Sequence, residues 1–185
     1  MNKLSSTLLM FTIMLCVPAF VRAQENSLLV QEDSSLSDRI KAAVKEKEPK
    51  WELKFIDHIS TVQGEDSFST YLWEDGDKSF IGVSVIISSS PEPSNTWFKF
   101  LQGEYAVPKF RQRLLKGSVK NLGDENYLWE DYYDPPNTGG GVTFKQGNFV
   151  VRVGSSSKAT AERFASHIHE VIKEHSINSN FNLQL

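Results

Sequence analysis

Residues 68–87 read Phe-Ser-Thr-Tyr-Leu-Trp-Glu-Asp-Gly-Asp-Lys-Ser-Phe-Ile-Gly-Val-Ser-Val-Ile-Ile. The Asp75-Gly76-Asp77 core of this stretch is a tight turn signal, and the runs on either side, 68–74 and 80–87, read as the two strands of a hairpin. The second run is almost wholly apolar, which is what a central strand covered on both faces requires. Upstream, Trp51, Leu53 and Phe55 alternate with Glu52 and Lys54, followed by Ile56, Ile59 and Val62, so this segment supplies one or two more strands. Before it, Leu36, Ile40, Ala43 and Val44 recur at helical spacing, Ser34, Ser35 and Ser37 are available as caps, and Pro49 stops the run. Downstream, a Ser and Pro cluster at 88–93 ends the hairpin. Ser94 is then the expected cap of a helix carrying Trp97, Phe98 and Leu101, and residues 105–115 are expected to continue as a further helix after Pro108.

The second half repeats this order. Tyr71-Leu72-Trp73-Glu74-Asp75 recurs letter for letter as Tyr127-Leu128-Trp129-Glu130-Asp131. Strands are expected at 126–133, 142–145 and 149–153, with a Pro- and Gly-rich loop at 134–141, a turn at Gln146-Gly147-Asn148 and a polar break at 154–157. A helix follows at 158–175, where Ala161, Phe164, Ala165, Ile168, Val171 and Ile172 keep one apolar stripe; residues 177–185 are expected to be a frayed tail. The fold class is therefore α+β: a mostly antiparallel sheet with flanking helices, built from two β-β-α pseudo-repeats after an N-terminal helix, within one domain spanning 34–176.

The amino terminus is organised differently. Residues 1–23 have a positive start at Lys3, an apolar stretch over 8–17, a break at Pro18, and small residues Val21 and Ala23 at the −3 and −1 positions of a signal peptidase site. This predicts cleavage between Ala23 and Gln24 and a secreted or periplasmic location, followed by a loose leader over 24–33. The apolar run is too short and too interrupted for a membrane anchor. Cys16 is the only cysteine, and Leu15 before it is wrong for lipid attachment. Cleavage would leave 162 of the 185 residues with no thiol, enough for one core held by packing alone.

Lys3 and Arg22 leave with the signal, so 18 basic side chains remain against 23 acidic, a formal charge of −5. No basic stripe is present, which excludes nucleic acid and anionic lipid surfaces as partners. Lys109, Arg111, Arg113, Lys116 and Lys120 form the nearest thing to a patch and read as a solvated face. The expected partner is an unknown small molecule or protein, with no membrane attachment after cleavage and a monomer or weak dimer in solution.

Few patterns carry chemistry. Ser155-Ser156-Ser157-Lys158 fits Ser-x-x-Lys, but the companion elements of that enzyme class are missing and a helix cap explains the serines. His167, His169 and His175 are not at the i, i+4 spacing of a helical metal pair. Asp75 to Ser79 starts like a calcium loop, yet Phe80 stands where its turn glycine belongs. Gly139-Gly140-Gly141 has no lysine or helix start at P-loop spacing. No catalytic residue, metal or cofactor is expected. In each pentapeptide Tyr and Trp point to one side of a strand and Leu to the other, which admits either a ligand platform or packed core. The ligand-binding candidates are Trp73, Trp129, Tyr132, Tyr133 and Asn137, around a cleft between the sheet and the 134–141 loop. The alternatives are a small hydrolase using Ser155 or the pair Asp131 and Asp134, and a protein-interaction or inhibitor module, which a large exposed apolar patch would favour.

Gly147-Asn148-Phe149-Val150-Val151-Arg152-Val153, the serine break, and Ala161, Glu162, Arg163, Phe164, Ala165 and Ile168 resemble the closing strand and helix of small bacterial extracytoplasmic domains. These include the sensor domains of mycobacterial receptor kinases and the PsbP-like lipoproteins. The likeness covers about thirty residues and implies an antiparallel sheet flanked by helices, used as a sensor, ligand-binding or accessory module. It carries over no catalytic residue, and the cysteines common in the kinase sensors are missing.

Overall fold

A computed structural model describes residues 34–60, 66–77, 79–104, 112–131 and 139–182. The signal, the leader and three of the candidate residues, Tyr132, Tyr133 and Asn137, lie outside this range. In chain order the elements are α1 (Ser34–Lys47), β1 (Glu52–Ser60), β2 (Asp66–Glu74), β3 (Phe80–Ser88), α2 (Pro91–Glu104), β4 (Gln112–Leu114), β5 (Glu125–Asp131), β6 (Gly140–Gln146), β7 (Phe149–Ser155) and α3 (Lys158–Asn182). The seven strands form one antiparallel sheet in the order β1-β2-β3-β7-β6-β5-β4. The α+β class read from the sequence is the one observed.

The opening hairpin pairs Tyr71 with Val83 and Trp73 with Ile81. Its turn is held by the Asp75 carboxylate, whose Oδ1 accepts the N–H groups of Asp77 and Ser79 at 3.0 and 2.9 Å. The segment that starts like a calcium loop is thus an Asx-stabilised reversal. At the other tight hairpin, Gly147 carries φ +56° while Asn148 does not share the positive φ, the pattern of a type II′ turn with Gly first.

β3 and β7 lie side by side in the interior of the sheet and are buried on both faces. Odd-numbered Ile81, Val83 and Val85, with Val151 and Val153, face α1 and α3; even-numbered Ile86 and Val150 face α2. On α1, Leu36, Ile40 and Val44 repeat every four residues and are buried against the stripe of α3. Each such side chain stabilises the fold by about 1.5–3 kcal/mol. Arg39–Glu174 (2.8 Å) and Lys47–Glu170 tie the same two helices at the surface, where ion pairs contribute little, and Arg163 meets the largely buried Glu48 just past the end of α1.

Several boundaries differ from expectation. Residues 112–114 are the edge strand β4, not helix: Gln112, Arg113 and Leu114 pair with Asp131, Glu130 and Trp129, and Arg113 meets Glu130 at 2.5 Å across the strands. Tertiary pairing overrides local propensity there. α2 begins at Pro91, whose missing N–H costs nothing in a first turn, so Ser94 is inside the helix. Its buried hydroxyl lies 2.7 Å from Pro91 O and 2.8 Å from Gly147 O, pinning α2 to the β6–β7 turn. α3 runs to Asn182, past the expected end at 175 and through most of the expected tail, since no Gly or Pro interrupts residues 176–182. Gly140, Gly141, Gly154 and Ser155, expected in loops, belong to β6 and β7. In β1, Leu53 pairs with Trp73 but Phe55 with Leu72, so a bulge at Lys54 sends Phe55 to the opposite face from Leu53.

Two β-β-α units, β2-β3-α2 and β6-β7-α3, abut at the β3–β7 pair. They are not symmetry-related, because α2 and α3 cover opposite faces, and the repeated pentapeptide lies in β2 in one half and in β5, outside the second unit, in the other.

Candidate functional site

The second pentapeptide copy alternates across β5. Leu128 joins the α1–α3 core, whereas Tyr127 and Trp129 join the cluster under α2 with Phe98, Leu101, Ile86 and Val150. Asp131, two residues beyond Trp129, shares its side. Tyr127 packs on Phe98 at 5.1 Å between ring centroids.

From Trp129 the register runs across the sheet through Gly141, Gly154 and Gly82. Three glycines in one row leave the backbone of the three inner strands bare on this side, and the Trp129 indole lies on it. A Cβ at Gly154 would stand 2.9 Å from Trp129 Cη2, and one at Gly141 2.6 Å from Cζ2 while also striking the Val153 carbonyl oxygen. Only hydrogen fits beneath the ring.

Arg152, two residues before Gly154 and on the same side, places its guanidinium 4.8 Å from the centroid of the Trp129 ring. Such a cation–π contact contributes about 0.5–2 kcal/mol. Next along β5, the buried Asp131 holds its carboxylate against Gly139: the Asp131 N–H donates to Gly139 O at 2.8 Å, and a Cβ on Gly139 would meet Oδ2 at 3.0 Å. Thr143 completes the row, in register with Tyr127 on one side and Arg152 on the other. It is fully buried, and its Oγ1 has no hydrogen-bond partner among the described residues. A delocalised cation, an aromatic plane, a buried carboxylate and a hydroxyl are thereby gathered on one side of the sheet. Together they can orient a polar ligand; the set contains no nucleophile beside a base.

The sequence candidates separate. Trp129 is in this constellation. Trp73 is on the opposite face, 2% exposed, stacked on Tyr71 at 5.4 Å and tilted against Phe164. The two pentapeptides therefore form no single platform, and Trp73 is core. Ser155 Oγ accepts the Ser157 N–H at 3.1 Å, Ser157 Oγ caps α3 at Thr160 N, and Lys158 lies 3.9 Å from Glu162. The Ser-x-x-Lys pattern is a helix start. The histidines serve packing: His167 reaches Glu48 at 3.2 Å, His175 sits edge-on to Phe149, and His169 lies edge-on to Phe144 with Nε2 3.2 Å from Gly123 N and 3.0 Å from Gln146 Oε1. Burial, with Lys173 nearby, holds the His169 imidazole below its usual range. Among the described residues no group of three or more His, Cys, Asp or Glu could hold a metal ion.

Sequence reading missed Arg152, Thr143 and the glycine row. Arg152 is one cation inside an apolar strand, and Gly141 and Gly154 have the composition of a loop and a break. Only the register across β5, β6 and β7 brings them under one ring. No protein-family model matches the chain, and no curated protein matches it.

Proposed function

We propose that the chain is exported and acts outside the cytoplasm as a non-enzymatic binding or accessory module, receiving a small ligand with an anionic group at Arg152, whose guanidinium Trp129 supports. The observation that carries this reading is the Arg152 guanidinium stacked over an indole that two glycines are kept bare to accommodate. The guanidinium fork matches carboxylate and phosphate groups with paired hydrogen bonds, and the indole beneath it fixes the plane of the fork. The tripartite pattern of residues 1–23 supports export, and no helix among the described residues is long and apolar enough to cross a membrane. The likeness of β7 and α3 to small bacterial extracytoplasmic domains is in keeping with a sensor or accessory role. The hydrolase alternative draws nothing from Ser155, whose Oγ is engaged at the start of α3.

A thermal-shift screen of small carboxylates, phosphates and saccharides tests the reading. Ligands that stabilise the wild-type protein are expected to bind Arg152→Lys and Trp129→Phe at least tenfold more weakly. A library with no stabilising compound, or hits that bind both variants unchanged, would sink it. Mass analysis of the exported protein should find Gln24 as its first residue.

A further inference from the structure

The two edges of the sheet are unlike. β4 is three residues long, and its Arg113 is paired to Glu130; short, charged edges of this kind resist further pairing. β1 is nine residues long and, among the described residues, pairs only with β2. Six large apolar side chains are exposed among the described residues, and four of them, Leu53, Phe55, Ile56 and Ile59, are on this strand. They point to both faces: Leu53 and Ile56 toward the α1–α3 side, Phe55 and Ile59 toward the α2 side. On the α2 side the apolar surface continues inward, because Ile59 is in register with Phe68, which meets Trp97 at 5.0 Å, which meets the exposed Phe100 at 5.9 Å.

We propose that β1 is a self-association edge: two copies of this chain pair β1 antiparallel about a twofold axis through Ile56 and continue one sheet across both. Three features of the strand select a second copy as the occupant. An antiparallel edge is complementary to its own reversed copy, so a twofold contact satisfies both rows of backbone groups at once. Ile56 is the midpoint of Glu52–Ser60, so an axis there engages the whole strand. In that register Ile56 meets its own copy and Phe55 meets Asp57, while Glu52 and Lys54 approach Ser60 and His58; no acid opposes an acid, although the chain carries net negative charge. The axis stands perpendicular to the sheet, so both α2 helices lie on the same side and the two Phe55–Ile59–Phe68 surfaces become continuous. The ion pair of Lys54 to Glu52 (2.6 Å) offsets the two charges that flank the bulge, and residues 55–57, which meet their own copies about the axis, lie on its regular side.

The test uses the full-length chain with Cys16→Ser, in which any introduced thiol is alone. Directly opposed Cα atoms on antiparallel strands are about 4.5–5.5 Å apart, within disulfide reach. Ile59 would be about 20 Å from its own copy. Under mild oxidation Ile56→Cys is expected to form a reducible dimer at least ten times faster than Ile59→Cys. In sedimentation, Ile56→Lys should weaken dimerisation at least tenfold with an unchanged far-ultraviolet circular dichroism spectrum, while Leu114→Lys on the β4 edge leaves it unchanged. Wild-type protein that stays monomeric to about 100 μM, cross-linking equal at the two positions, or a dimer untouched by Ile56→Lys would overturn the proposal.

Discussion

The same five residues, Tyr-Leu-Trp-Glu-Asp, do different work in β2 and β5. In β2, Tyr71 and Trp73 lie under α1 and α3, stacked on each other with 15° between their planes, and Leu72 is the half-buried residue on the α2 side. In β5 the assignment inverts: Leu128 enters the α1–α3 core, and Tyr127 and Trp129 turn to α2. Alternation dictates that Tyr and Trp share a face. It says nothing about which face, and the neighbours decide what the ring becomes. Trp73 meets Phe164 and other apolar side chains, whereas Trp129 meets bare glycine backbone and a guanidinium.

The largest effect expected of this contrast is on stability. Trp73→Ala should cost about 3–5 kcal/mol, and Trp129→Ala distinctly less, because one side of its ring rests on backbone and the other on a polar group that water can solvate. Urea unfolding of the two variants decides it; equal losses would mean that both copies are plain core. Next comes the glycine row. Gly141→Ala should cost about 1–3 kcal/mol through overpacking, and Gly154→Ala less, since its new methyl would meet only the Trp129 ring. Combining Gly154→Ala with Trp129→Phe should recover part of the Gly154→Ala loss. Strict additivity in that double-mutant cycle would show that the ring does not rest on Gly154.

Smaller again is Tyr71→Phe, which removes the 3.1 Å hydrogen bond to Ser37 Oγ that anchors the start of α1 over β2. The expected loss is about 1 kcal/mol. The corresponding Tyr127→Phe leaves α1 untouched, so hydrogen exchange in α1 should rise only in the first variant. The mildest test is pH. His169 packs on Phe144 in the α1–α3 core, and its folded pKa is depressed, so the unfolded chain takes up the proton first as pH falls. The stability this group contributes is fully present above about 6.5 and is lost as pH falls from there through the folded value. His169→Gln should flatten that slope while Trp129→Phe leaves it unchanged. A slope surviving in His169→Gln would place the titration elsewhere.

Much of the architecture was legible because it rests on local patterns. The hairpin around Asp75-Gly76-Asp77, the apolar run of β3, the stripe of α1 and the stripe of α3 all need only period and turn chemistry, and all are observed. The short β4 was not legible, since Gln112-Arg113-Leu114 acquires strand geometry only from β5 beside it. The bulge at Lys54 was equally hidden: an unbroken alternation from Trp51 to Phe55 puts Phe55 on the wrong face, and only pairing with β2 reveals the extra residue. At the candidate site Trp129 was legible as an aromatic in a strand. Arg152 was not, because the two residues are 23 positions apart in the chain and meet through two intervening backbone registers.

By itself, then, the sequence determined the main strands and helices and that each Tyr–Trp pair shares a side, since period-two and period-3.6 patterns are properties of adjacent residues. Only the tertiary structure decided that the two identical pentapeptides face opposite ways, that three glycines line up beneath one indole, and that β1 is left at an apolar edge. Those outcomes depend on strand order and register, and they are set by contacts between segments far apart in the chain.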